Sequence, residues 1–74
     1  MTHLIIVIPH EDSWIVRSTS LPADMGFRSG AQAEAMARAI ATQFAMGGEA
    51  AELHVFLRNG TLAGRSAYGS SRAA

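Results

Sequence analysis

Ser29-Gly30-Ala31-Gln32-Ala33-Glu34-Ala35-Met36-Ala37-Arg38-Ala39-Ile40-Ala41-Thr42-Gln43-Phe44-Ala45-Met46-Gly47-Gly48 is the stretch on which the fold turns. At about 100° per residue, Ala33, Met36, Ala37, Ile40 and Phe44 share one stripe, with Glu34, Arg38 and Thr42 roughly opposite. The spacing predicts one amphipathic helix over Gln32–Met46 that turns its apolar stripe to a sheet. Ser29, three residues before Gln32, has the form of a capping box, in which a hydroxyl and an amide side chain satisfy free backbone amides reciprocally. Gly47-Gly48 ends the helix, since glycine takes a left-handed cap without a Cβ clash. Glu34 precedes Arg38 by four residues, the favourable order for a surface ion pair of about 0.2–0.5 kcal/mol.

On the N-terminal side, His3-Leu4-Ile5-Ile6-Val7-Ile8 is a continuous, β-branched run and reads as a strand ended by Pro9. A polar turn, His10-Glu11-Asp12, leads to a second strand, Ser13–Ser18, with Trp14 and Val16 on one face and Ile15 and Arg17 on the other. Thr19 to Arg28 carries Pro22, Asp24 and Gly26 without a period and reads as a surface loop anchored by Leu21, Met25 and Phe27. On the C-terminal side, Glu52–Leu57 alternates strictly and predicts a third strand, with Leu53, Val55 and Leu57 on one face and Glu52, His54 and Phe56 on the other. Asn59-Gly60 has the composition of a two-residue type I′ hairpin turn. A fourth strand then runs from Thr61 to about Tyr68. Residues 70–74 hold no large apolar side chain and are expected to fray.

The expected architecture is therefore α+β, ββαββ, with a single four-stranded antiparallel sheet of order 2-1-3-4 and the helix on one face. Residues 1–69 form one domain. The 74-residue length leaves no room for a second. A chain this short removes only about 60% of its unfolded surface from water, so its stability margin is thin. Cysteine is absent, which excludes disulfides, thiolate metal sites and cysteine nucleophiles. The apolar stretch Leu4–Ile8 is too short for a signal or a membrane span, which favours a cytoplasmic location. Six arginines balance six acids, so no overall positive field draws in nucleic acid.

A sheet with one covered face leaves the other bare. In this arrangement the bare face carries Ile5, Val7, Ile15 and Phe56, with His3, Arg17, His54 and Arg65. Apolar side chains grouped over a few hundred Å² point to association. The leading expectation is a non-enzymatic homodimeric structural or regulatory interaction module whose binding residues are Ile5, Val7, Ile15, Arg17, His54, Phe56 and Arg65. The alternative is a single-stranded nucleic-acid-binding module that stacks bases on Phe56 while Arg17 and Arg65 follow phosphates.

Other constellations are weaker. His10-Glu11-Asp12-Ser13 has the residue types of a hydrolytic triad, but neighbours on a tight turn splay apart and cannot relay a proton. The same turn offers a metal too few ligands from separate elements. Gly47-Gly48 follows a helix instead of opening one, so it cannot aim helix N-terminal amides at a phosphate. Trp14, the single tryptophan, is expected in the core under the helix. No catalytic residue, metal ligand or cofactor is assigned, and no membrane partner.

Trp14-Ile15-Val16-Arg17, Gln32-Ala33-Glu34-Ala35, Leu53-His54-Val55-Phe56, Arg58-Asn59-Gly60-Thr61-Leu62 and Tyr68-Gly69 together resemble the small bacterial family called domain of unknown function 2188. The resemblance spans nearly the whole chain and rests on short structural motifs. It departs in the long Leu21–Arg28 loop and at Asn59, where the family pattern has an acidic residue before the glycine. It implies a single-domain bacterial protein and, since the family has no established activity, lends no catalytic residue.

Overall fold

The computed structural model describes residues 2–69; the tail expected to fray, 70–74, lies outside the described residues. Apolar runs and tight turns lay out β1 (Thr2–His10), β2 (Ser13–Ser18), β3 (Met25–Phe27), α1 (Gly30–Met46), β4 (Ala50–Phe56) and β5 (Leu62–Tyr68). They form one five-stranded sheet of order β3-β2-β1-β4-β5. Neighbours pair antiparallel except β1 and β4, which are parallel, with Ile5 beside Leu53 and Val7 beside Val55. The four-stranded, all-antiparallel sheet of order 2-1-3-4 is thus overturned in strand count, order and direction.

One short element accounts for the error. Met25-Gly26-Phe27 lies inside the segment read as a loop, yet it pairs with β2, Trp14 opposite Phe27 and Val16 opposite Met25. It returns the chain to the end of the sheet where β2 began. The helix therefore starts there, runs back, and delivers β4 in the direction of β1. Without β3 the helix would start at the other end and β4 would be antiparallel to β1. The crossover thus joins two parallel strands of one sheet, β3 and β4, a connection that is ordinarily right-handed.

Helix α1 begins two residues before the expected Gln32. Ser29 is extended (φ −129°, ψ 154°), and its hydroxyl accepts from the Gln32 N–H at 3.1 Å. At the other end Gly48 takes φ +86°; its N–H donates to the Ala45 carbonyl at 3.0 Å and that of Glu49 to Phe44 at 2.9 Å. These two bonds make a Schellman stop, which needs the left-handed residue that glycine supplies. Arg38 and Glu34 approach to 4.0 Å on the exposed side.

The core is narrow. Ala33, Ala37 and Ala41, one helical turn apart, are fully buried over Ile5, Val7, Val16, Ala51 and Leu53. Ala41 belongs to the contact stripe although its size hides it from a hydropathy reading. Met36, Ile40 and Phe44 are half-buried flanks of this seam. Methyl side chains let the helix backbone lie close to the sheet, so the large β-branched side chains below fill the layer. Each fully buried Ile, Leu or Val contributes about 1.5–3 kcal/mol.

Both hairpins differ from their expected form. Between β1 and β2 the turn is two residues, Glu11-Asp12, with His10 paired to Ser13 and Glu11 at φ +53°. Pro9 continues β1 instead of ending it, opposite Trp14. The pairing with β4 stops at Val7, so the missing Pro9 N–H has no ladder to serve on that side. Between β4 and β5 the loop is Arg58-Asn59-Gly60, not a two-residue type I′ turn. The Gly60 N–H donates to Leu57 at 2.9 Å and the Leu57 N–H to Thr61 at 2.8 Å. Within this loop Gly60 alone is left-handed, at φ +89°. This is the three-residue hairpin with a left-handed third position. The Asn59 side chain accepts from the Thr61 N–H at 2.9 Å and from its hydroxyl.

Candidate functional site: the uncovered sheet face

Side chains alternate across a strand, and the register tells which face each one takes. Ile5, Val7, Val16, Ala51 and Leu53 lie under the helix. Leu4, Ile6, Ile8, Ile15, Arg17, Glu52, His54, Phe56 and Arg65 therefore point to the other side, which no element among the described residues covers. The pairs there are Ile8 with Ile15, Ile6 with Arg17 and with His54, His54 with Arg65, and Phe56 with Leu62. Leu4 is 43% exposed although it stands in the middle strand. A shallow depression on this face is lined by Leu4, Ile6, Arg17, Ser18 and Thr19.

Five of the residues expected on the bare face, Ile15, Arg17, His54, Phe56 and Arg65, do share it. Ile5 and Val7 do not: both are fully buried beneath the helix. His3 also lies on the helix side. The cause is one residue in the first turn. A three-residue turn His10–Asp12 sets Pro9 opposite Ser13, whereas the actual two-residue turn sets His10 there. A slip of one moves every side chain of the strand to the opposite face. Leu4, Ile6 and Ile8 are the face residues missed in this way. The signal that finds them is the core position of Trp14 and Val16, propagated through a two-residue turn to Pro9 and Val7.

The polar groups of the face are mostly engaged with one another. Arg17 donates from Nε and Nη2 to the two oxygens of Asp24, at 3.0 and 2.7 Å. This bond holds the Asp24 carboxyl below its ordinary range and favours the Arg17 cation. His54 Nε2–H donates to Glu52 at 3.0 Å, two residues along the same face. Arg65 makes no ion pair among the described residues.

A second cluster sits on the helix side. The His3 ring stacks on Phe44, centroids 3.8 Å apart and planes 5° from parallel. Its Nε2–H donates to Glu49, and Nδ1 is hydrogen-bonded with the Ser20 hydroxyl. The residue types are those of a triad, but the amides nearest Ser20 are spent internally. The Ser20 N–H donates to Ser18 Oγ and the Leu21 N–H to the Ser18 carbonyl, both at 3.1 Å. No oxyanion donor is thus offered by these amides. The cluster clasps β1, the loop after β2 and the helix end. At the far end of the sheet Arg58 plays a similar part, donating to the Glu11 carbonyl at 2.7 Å with its guanidinium 5.3 Å from the Trp14 ring centre.

In the turn His10–Ser13, the Ser13 hydroxyl donates to the His10 carbonyl at 3.0 Å. Among the described residues no three His, Asp or Glu side chains gather in a metal-holding group. No described helix is long and apolar enough to cross a membrane. No family model matches the chain, and no curated protein or solved structure matches it either.

Proposed function

We propose that this protein is a small non-enzymatic interaction module that associates with a second copy of itself through the uncovered sheet face. The observation that supports it most is the row Leu4, Ile6, Ile8 on the central strand, flanked by Ile15 and Phe56 with no element of the described residues above them. Apolar groups so placed gain free energy when a partner excludes water from them.

The dimensions suit a second copy. Strands of nine, six, three, seven and seven residues, at about 3.3 Å for each residue and about 4.8 Å apart, give a footprint of roughly 500 Å². Two copies would bury about 1,000 Å², at the threshold of about 1,000 Å² for a specific interface. The charges suit it too. Arg17 is paired with Asp24, and Glu52 and Arg65 bring opposite charges to the same face, so two such faces meet without net repulsion.

The same pairings weigh against single-stranded nucleic acid as the ligand. Arg17 is committed to a carboxylate, Glu52 stands among the face residues, and the chain carries no net charge.

Sedimentation velocity over a concentration series, with the Ile6→Asp variant alongside, tests the proposal. The wild type should grow in mass and thermal midpoint with concentration, and Ile6→Asp should reduce both dependences. Identical behaviour of the two proteins at all micromolar concentrations would overturn it. Salt-sensitive binding of short oligonucleotides that is lost in Phe56→Ala would favour the nucleic-acid reading instead.

A further inference from the structure

The two edges of the sheet are unlike. β3 is three residues long, and the Arg17–Asp24 pair stands beside it, so that edge is blunted. β5 is seven residues long, contains no proline and only one charge, and is exposed along nearly its whole length. Its ladder with β4 is irregular between Val55 and Phe56, near the Leu62 end, and regular from Gly64 to Tyr68. A regular, unprotected edge of this kind is a template for another strand.

We infer that the β5 edge pairs with β5 of a second copy, antiparallel, about a two-fold axis at Ser66. Three observations select that register. Centring on Arg65 would set two guanidinium groups directly opposite each other, which is destabilising. Centring on Gly64 would draw the irregular Leu62 end into the ladder. Centring on Ser66 uses only Gly64–Tyr68, pairs Arg65 with Ala67 of the other copy, and sets Tyr68 opposite Gly64.

The last pair gives a second part to Gly64, which in the isolated chain adjoins the bulge at Ala63. Gly64 has no positive φ, and a Cβ built there meets nothing within 4 Å. Glycine inside a strand weakens it and often marks a bulge or a place where another backbone approaches. Tyr68, on the same helix-side face, covers Gly64 of the opposite copy, the aromatic-over-glycine pairing that strengthens exposed strands. Because one edge pairs with itself and the other is blunted, edge pairing by itself closes at two copies instead of extending the sheet into a filament.

This edge is separate from the face, and the test separates them. The chain lacks cysteine, so Ser66→Cys introduces a single thiol. On the two-fold axis the paired Cα atoms stand about 4.5–5.5 Å apart, within disulfide reach. Ala63→Cys is the control, since position 63 lies about 20 Å from its own copy in this register. Under mild oxidation Ser66→Cys should give disulfide-linked dimer in large excess over Ala63→Cys, and should do so equally in the Ile6→Asp background. Equal or negligible dimer from both thiol variants would overturn the edge pairing. Dimer that vanishes in the Ile6→Asp background would also overturn it and assign the association to the face alone.

Discussion

Arg17 and Asp24 grip each other side by side, Nε to Oδ1 at 3.0 Å and Nη2 to Oδ2 at 2.7 Å, across the bend that turns β2 back into β3. The fork-to-fork geometry fixes orientation as well as distance. It fastens the segment that decides which way the helix and β4 run. Both side chains remain about half exposed, so the pair acts as a positional clasp.

The clasp sets an acid dependence. The hydrogen bonds from Arg17 depress the Asp24 pKa below its ordinary 3.8. A carboxyl whose folded pKa lies below its unfolded one adds stability above the unfolded value and loses it as pH falls through the folded one. Asp24→Asn should therefore lower the urea midpoint at neutral pH, with the difference from wild type closing below about pH 4. A difference that is constant down to pH 2, or absent at pH 7, would refute this.

Gly69 is required by its neighbours. At φ +92°, a Cβ there would stand 2.7 Å from the Glu49 carbonyl oxygen and 2.9 Å from the Ala50 Cα. Both contacts are backbone, which yields little. Gly69→Ala should lose about 1–3 kcal/mol in denaturant melts. Gly26→Ala, where φ is not positive and a Cβ meets nothing within 4 Å, should change stability by less than about 1 kcal/mol.

The alanine seam should resist enlargement. Ala37 is fully buried between the helix backbone and the sheet. Ala37→Leu forces the layers apart and should cost about 1–3 kcal/mol or more. Ala39→Leu, on the exposed side of the same helix, should fall within about 0.5 kcal/mol of wild type. Thermal melts of the two variants provide the comparison.

Adjacent residues of β1 should behave oppositely. Ile5→Ala empties a fully buried position and should cost about 2–5 kcal/mol. Leu4→Ala, on the open face, should cost roughly 1 kcal/mol or less in the dissociated chain. If Leu4→Ala proves the more damaging in dilute protein, the assignment of strand faces is wrong.

Much of the local structure was legible in the residues. Ser29 and Gly47-Gly48 bracket the helix because caps are short-range chemistry, decided by a hydroxyl and a missing Cβ. The alternation Leu53, Val55 against Glu52, His54 placed that strand's faces correctly, since each polar residue marks the solvent side. Leu4–Ile8 offers no such mark: every residue is apolar, so only the register against Trp14 and Val16 can say which of them is buried. For the site, this put Ile5 and Val7 where Leu4, Ile6 and Ile8 belong.

By itself, then, the sequence determined the elements whose signals are local: an alanine-rich helix with its caps, four apolar strand segments, and the absence of any thiol chemistry. Tertiary structure alone decided that Met25-Gly26-Phe27 is a strand, since three residues carry no period and are held only by pairing with Trp14 and Val16. That pairing in turn sets the parallel match of β1 with β4. It also decided the phase of β1, because a two-residue or three-residue turn is equally compatible with His10-Glu11-Asp12 until a partner strand and the helix choose between them. Direction and face are relations between distant segments, and no single segment encodes them.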